Sequence, residues 1–382
     1  MRSKNIVPRI SGAALLFGLA LALAPLSTAR AQGASDILTN FPDSQVVVYV
    51  NAQRIINEAA PRIVPQQKLD ETFEKMKREA MGFDVRSVHH VAAGVRFRGE
   101  PKPGAMPEFL VIVKGDFDAN ALLSLVRMGM PENVTEETYG SRTINIFKMS
   151  RPKPAEGGAQ PEPAAAEAQK PSPPFPELAV VLFDANTVAV GVPDYVRAAI
   201  DAESQTDARL NSGLLELATR NAGDLFSLVG NVPEGFVKHL PGGASQNAEL
   251  SKILGSIRQL QASVGMTETD FPVQSTIRTD TPESARAISG MIAIGLRAAE
   301  AGIQKDLDKT PTTKVNERRG MESALAIVRA MTNNANGNEV TLATAISQKA
   351  VAGFVQNELN RKAAKPKPTT RRTTRRRGVR RT

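Results

Sequence analysis

The chain has 382 residues, with 48 Lys and Arg against 39 Asp and Glu, a formal charge of +9, and neither Cys nor Trp. Without Cys there is no disulfide framework, thiolate nucleophile, cysteine zinc site or lipidated cysteine. Three His leave little material for a histidine metal site, and a hydrophobic fraction of 41% suits a globular body.

The charge is concentrated at the ends. Residues 1–32 hold four basic residues and no acid, and residues 361–382 hold eleven basic residues and no acid. Residues 33–360 keep 33 basic against 39 acidic residues, a formal charge of about −6. The high isoelectric point therefore belongs to two termini, not to a nucleic-acid-binding surface.

Arg2, Lys4 and Arg9 precede an apolar run, Ala13–Ala24, which Pro25 ends before Ala29-Arg30-Ala31. Twelve residues fall short of the roughly 20 that a spanning helix needs. Residues 1–31 are therefore expected to be a secretory signal peptide cleaved after Ala31, the alternative being an uncleaved anchor. The expected location is the periplasm or cell surface, with no transmembrane segment after cleavage.

The body opens with Val46–Val50, a β-branched strand. A charged helix follows over 66–81, with Leu69, Phe73 and Met76 on one face. Two strands are expected at Val88–Phe97 and Phe109–Lys114, then a helix from Asp118 with Leu122, Leu123 and Val126 on one face. Thr143–Lys148, Leu178–Phe183 and Thr187–Val192 make a three-strand meander, the last two joined by Asp184-Ala185-Asn186. Residues 151–176 interrupt it with eight Pro, six Ala and two Gly. Such a segment buries too little to offset its ordering entropy, so it is read as a disordered insertion between neighbouring strands rather than an interdomain linker. Pro193 opens the next helix.

The second half begins near Asp224 with a strand, Leu225–Val232. Leu250, Ile253, Leu254, Ile257, Leu260 and Val264 recur at helical spacing and predict one helix. A strand at Phe271–Thr279 follows, then a helix from Thr281-Pro282 and another over about 320–333. Asn336-Gly337 turns the chain into a strand, Val340–Ile346, and a last helix over about 348–360 presents Val351, Phe354, Val355 and Leu359. The fold class is α+β, antiparallel sheet with packed helices.

Asp43–Asn51 resembles Asp224–Asn231, an offset of 181 residues, and Gly82 and Gly265 repeat at 183. Asp116 and Asp280, each opening a helix, are 164 apart. These offsets predict a duplicated unit, 32–223 and 224–360, whose second copy lacks a strand or loop of the first; chance similarity of two α+β halves is the alternative. The chain would then comprise the signal peptide 1–31, these two repeats and a disordered tail, 361–382.

Tyr139-Gly140 and the stretch from Leu178 to Ala202 resemble uncharacterised exported bacterial proteins that carry a domain of unknown function. The resemblance implies a repeated α+β body and supplies no activity.

No phosphate-binding loop, dinucleotide fingerprint, nucleophile elbow or HExxH pattern is present. His89 and His90 are adjacent on a strand, so their rings diverge and do not chelate one metal readily. His239 is read as a helix-end residue. Asp116 and Asp118 lack the further oxygen ligands of a calcium loop and are read as helix caps. Met76, Met81, Met128, Met130 and Met291 are expected in the core or between helices. No catalytic, cofactor-binding or metal-ligating set emerges, and enzyme activity is not expected.

The tail carries the functional signal. Lys365, Lys367, Arg371, Arg372, Arg375, Arg376, Arg377, Arg380 and Arg381 occur with no acid and no aromatic residue. Arg pairs well with phosphate and carboxylate, whereas base stacking needs aromatics. The expected partner is an anionic envelope polymer or lipid surface, without sequence-specific nucleic-acid recognition. The function expected first is that of a non-enzymatic exported binding or scaffold protein tethered by this tail. The alternatives are a periplasmic carrier of a lipid or other apolar ligand, and a nucleic-acid-associated protein acting through the tail.

Overall fold

The structure is a computed structural model and describes residues 36–97, 106–129, 134–148, 175–221, 223–239 and 247–364. The expected signal peptide 1–31, nearly all of the insertion 151–176 and the nine tail cations lie outside these residues.

The β-branched opening of the body forms β1 (Val46–Asn51), with alternate side chains buried. The first half continues with β2 (Val88–Arg96), β3 (Glu108–Gly115), β4 (Val134–Tyr139), β5 (Arg142–Lys148), β6 (Glu177–Asp184) and β7 (Thr187–Gly191). The second contributes β8 (Phe226–Asn231), β9 (Ile257–Val264), β10 (Asp270–Thr279), β11 (Thr332–Asn336) and β12 (Glu339–Ser347). All twelve form one antiparallel sheet in the order β11-β12-β10-β9-β8-β1-β2-β3-β7-β6-β5-β4. The α+β class is as composition and patterning predict.

At the centre β1 lies beside β8, with Val46 opposite Gly230 and Val50 opposite Phe226. Outward from this seam the order is β1-β2-β3-β7-β6 on one side and β8-β9-β10-β12-β11 on the other, and β5 and β4 extend the first side alone. The paired glycines do not hold equivalent places. Gly82 precedes β2, whereas Gly265 lies between β9 and β10.

Helices cover both faces. In chain order they are α1 (Ala52–Arg54), continued through a π-helical turn at Ile55–Ala59 into α2 (Ala60–Ile63), then α3 (Gln66–Glu79), α4 (Ala119–Gly129), α5 (Pro193–Ser204), α6 (Ser212–Thr219), α7 (Ala248–Leu254), α8 (Pro282–Lys309), α9 (Val315–Ala330) and α10 (Gln348–Ala364). One face packs Val47, Tyr49, Ile112 and Val229 against Leu38, Phe41, α5 and α6. The opposite face packs Val113 and Val188 near Leu122 of α4, Val264 and Phe271 against Ile55 and Ile63, and Ile277 and Val340 against Ile288 of α8.

Residues 257–264 form β9, not the continuation of a helix. The helical stripe ends at α7, where the Gly255 N–H bonds back to Ser251 at 2.9 Å. The β10 partner of Ile257 is Thr279 and that of Gln259 is Arg278, so Arg258 is an extra residue in a bulge. The bulge brings Ile257 and Leu260 to the same face at a spacing of three, which imitates a helix in the sequence. Residues 332 and 333, expected at a helix end, open β11, and residues 361–364, expected in the tail, extend α10. Among the expected core methionines, Met76, Met81 and Met128 are exposed. Met291 packs beside Ile288, and Met130 lies outside the described residues.

Tyr195 on α5 is fully buried. Its hydroxyl meets that of Ser44, and the Arg96 guanidinium lies 4.1 Å from its ring centroid. Burial pushes the Tyr195 hydroxyl up to about 12. Gly94 on β2 makes room for this contact. A Cβ there would stand 2.6 Å from the Phe41 ring and 2.7 Å from the Tyr195 oxygen. Gly94→Ala is expected to destabilise the fold by about 1–3 kcal/mol through overpacking, read as a lower urea midpoint with an unchanged slope.

Asp224, at the entry to β8, is pushed up to about 6 by burial, against the opposing effects of hydrogen bonds with Ser263 and Asn221 and the charge of Arg54. Its folded value exceeds the ordinary 3.8, so the folded state binds the proton more tightly. Asp224 therefore adds stability as pH falls from about 6 to 3.8. Asp224→Asn is expected to flatten this part of the stability–pH profile and to raise the urea midpoint at pH 7.5. An unaltered profile would refute the assignment.

Candidate functional site: a groove between two helices

The nine tail cations, Lys365 to Arg381, lie outside the described residues. The structure places the other polar candidates in separate local contacts. His89 Nε2 is 3.0 Å from Asp116 Oδ2. His90 Nδ1 is 2.9 Å from the Tyr49 hydroxyl. Burial, followed by the charges of His89 and Lys114, lowers His90 to about 4, so it is neutral at pH 7. Asp118 Oδ1 accepts from the Asn120 and Ala121 N–H groups and caps α4. His239 ends a short 3₁₀ turn. Among the described residues no cluster of His, Asp and Glu is placed to hold a metal ion.

A polar recess of about 210 Å³ lies beside Asp36, Lys114, Asp184 and Glu203. Glu203 and Asp184 already have partners. Glu203 takes Arg142 at 2.7 Å, and Asp184 accepts from the Asn186 N–H and the Thr187 hydroxyl.

The larger feature is a groove of about 1390 Å³ between α9 and α10. Its first wall forms because α9 is fixed from one side. Leu325 is buried, Arg329 reaches Glu300 of α8 at 2.8 Å, and Arg318 donates to the Leu307 and Thr310 carbonyls at 2.8 Å each. The Leu307 carbonyl also accepts from the Thr310 N–H at 3.2 Å, so Arg318 adds a second donor at the end of α8. These contacts leave Gly320, Ser323, Ala324 and Ile327, at spacings of three and four, on the groove side.

The second wall is held at its base. The Gln348 side chain is buried and donates to the Thr267 carbonyl at 2.8 Å. Arg62 donates to Gln348 Oε1 at 3.1 Å and to the Glu268 carbonyl at 2.8 Å. Val351 and Ala352 pack beside Ile63 and Phe271. Beyond this base, Ala350, Gly353 and Phe354 face the groove, with Ile346 of β12 at its foot.

Phe354 is 69% exposed, so it is not the inward residue that the sequence pattern predicts. The lining is mainly apolar, as in sites that take small ligands, and the volume exceeds the usual ~300–1,000 Å³ of such pockets. The apolar spacing of α10 does not reveal the groove, because Val351 serves both the groove and the cluster beside Ile63 and Phe271. A Cβ at Gly320 or Gly353 would meet nothing within 4 Å, but the same holds for Gly290, Gly295 and Gly302 of α8, so helical glycine does not mark the groove.

No protein-family model and no curated protein matches the sequence. Among solved structures, crystal form III of TP0453 aligns over 84% of this chain and 96% of its own, at 9% identity and a TM-score of 0.37. Form IV aligns over 82% and 93%, at 10% identity and 0.37, and form I over 84% and 96%, at 9% identity and 0.36. Scores of this size do not establish a shared fold, and no residue role is transferred from them. Among the described residues no helix is long and apolar enough to cross a membrane.

Filling the groove tests its accessibility. Ala324→Trp with Ala350→Trp is expected to weaken binding of the neutral apolar fluorophore N-phenyl-1-naphthylamine about tenfold or more and to leave the thermal midpoint within about 2 °C, because both residues are outside the buried core. Unchanged fluorophore binding would show that the groove does not take apolar molecules.

Proposed function

We propose that this is a non-enzymatic exported binding protein that carries an apolar ligand in the groove between α9 and α10. The observation that supports this reading is the groove itself: a mostly apolar channel, open to solvent, with Phe354 exposed on its wall. An apolar groove left open to solvent is available as a binding face. The carrier reading thus takes precedence over that of a plain scaffold.

The charge distribution supports a second element, attachment of the tail to anionic envelope material. The nine cations follow directly on α10, which ends at Ala364, so a tethered tail would hold the groove close to an anionic surface. Each cation near such a surface contributes about 1 kcal/mol, screened by salt. Residues 32–223 and 224–360 are read as two copies of one unit, supported by the common strand order outward from the seam.

The two elements are tested separately. Native mass spectrometry of the protein from its source is expected to show a co-purified apolar molecule that Ala324→Trp with Ala350→Trp displaces. An empty protein that also takes up no N-phenyl-1-naphthylamine would sink the carrier reading. For the tail, the full chain is compared with one carrying Gln at the nine cations, on vesicles of anionic phosphatidylglycerol. The full chain is expected to bind more tightly, by a margin that shrinks as salt rises. Equal binding by both chains would reject the tether.

A further inference from the structure

The groove is mainly apolar, but its charges do not balance. Four ionisable side chains line it: Arg319 on α9 and Lys349, Glu358 and Arg361 on α10. Glu358 and Arg361 are already paired, at 2.9 Å. Arg318, next to Arg319, is turned toward the end of α8, where it holds two carbonyls, and it lies 3.9 Å from Glu322. Glu317 is taken by Lys314 at 2.8 Å. Among the described residues no carboxylate lies within ion-pair distance of Arg319 or Lys349.

Two cations therefore stand on the wall of an apolar channel without counter-charge from the protein. A wholly apolar occupant would fill the channel and leave both cations unpaired. It would also remove part of their water, which is unfavourable. An occupant with an anionic group would meet them, and an Arg–carboxylate or Arg–phosphate contact is among the stronger hydrogen-bonded pairs. The apolar wall offers the rest of the molecule a matching surface. On α9 the lining runs from Asn316 to Ile327, about 16 Å at 1.5 Å per residue, which suits an extended alkyl chain.

We infer that the groove takes an anionic amphiphile, its alkyl chain along Ile327, Ile346 and Phe354 and its carboxylate or phosphate head at Arg319 or Lys349. This rests on the carrier reading and adds the chemical class of the ligand.

The experiment displaces N-phenyl-1-naphthylamine from the full chain with dodecanoate, dodecyl phosphate or dodecyl maltoside, each below its micellar concentration. The two anionic compounds are expected to displace at concentrations about tenfold or more below the neutral maltoside. Their relative potency distinguishes a carboxylate from a phosphate head. In Arg319→Gln with Lys349→Gln the preference is expected to fall to about threefold or less, with maltoside unaffected. Equal potency of all three compounds in the unaltered chain would overturn the anionic head while leaving the groove reading in place. A preference that survives the double substitution, or vanishes only when the nine tail cations are Gln, would assign the anion elsewhere and also overturn it. Failure of the chain to bind the fluorophore or any of the three amphiphiles would defeat both readings together.

Discussion

The pairing of β1 with β8 is the constraint on which the rest of the structure depends. Five residue pairs, from Val46 opposite Gly230 to Val50 opposite Phe226, join two sets of strands into one sheet. The side-chain period of a strand is two, so this register also decides which residues of both halves share a face. Val47 and Val229 stand opposite each other and enter one core. Val50 and Phe226 do the same on the other face. A slip of one residue would turn both cores toward the wrong layers.

The two faces are finished differently. The one that carries Tyr49 is closed by the 36–41 segment, α5 and α6, with ion pairs at its margin. Arg278 and Arg220 meet Glu339 at 2.6 and 2.9 Å and tie α6 to β10 and β12. These two guanidiniums hold Glu339 well below the ordinary carboxylate range, at about 2, despite the opposing effect of burial. The other face is covered by helices that depend on their own neighbours. α9 leans on α8, and α10 is fixed by Arg62 and Gln348 at its base. Nothing among the described residues draws α9 and α10 together, and the groove is the space that this leaves.

Much of the fold is legible where local preference and tertiary burial agree. Val46–Val50, Phe271–Thr279 and Val340–Ile346 are β-branched runs, and each is a strand. Thr281 caps α8 by accepting from the Ser284 N–H, with Pro282 at its first turn, where both chemistries belong. The sequence misleads where the ladder departs from regularity. The bulge at Arg258 gives β9 the apolar spacing of a helix, and the buried Gln261 and Ser263 on the same strand remove the alternation that would correct it. β11, Thr-Asn-Asn-Ala-Asn, has little strand propensity and is held by its partner β12. The groove was not legible, because a groove is a relation between helices. Phe354 and Ala324 are ordinary helix residues until their neighbours are known.

The two ends of α10 differ in how they are held. Its first turn is bound through Gln348 to the β9–β10 connection, and its far end continues into the chain beyond Ala364. A helix carries tension along its covalent backbone, and its i→i−4 hydrogen bonds resist unwinding. Any pull on the chain beyond residue 364 must therefore pass along one wall of the groove before it reaches the sheet. At its base that load is shared by the Arg62–Gln348 contact, the packing of Val351 and Ala352 beside Ile63 and Phe271, and the covalent link from Gln348 to β12.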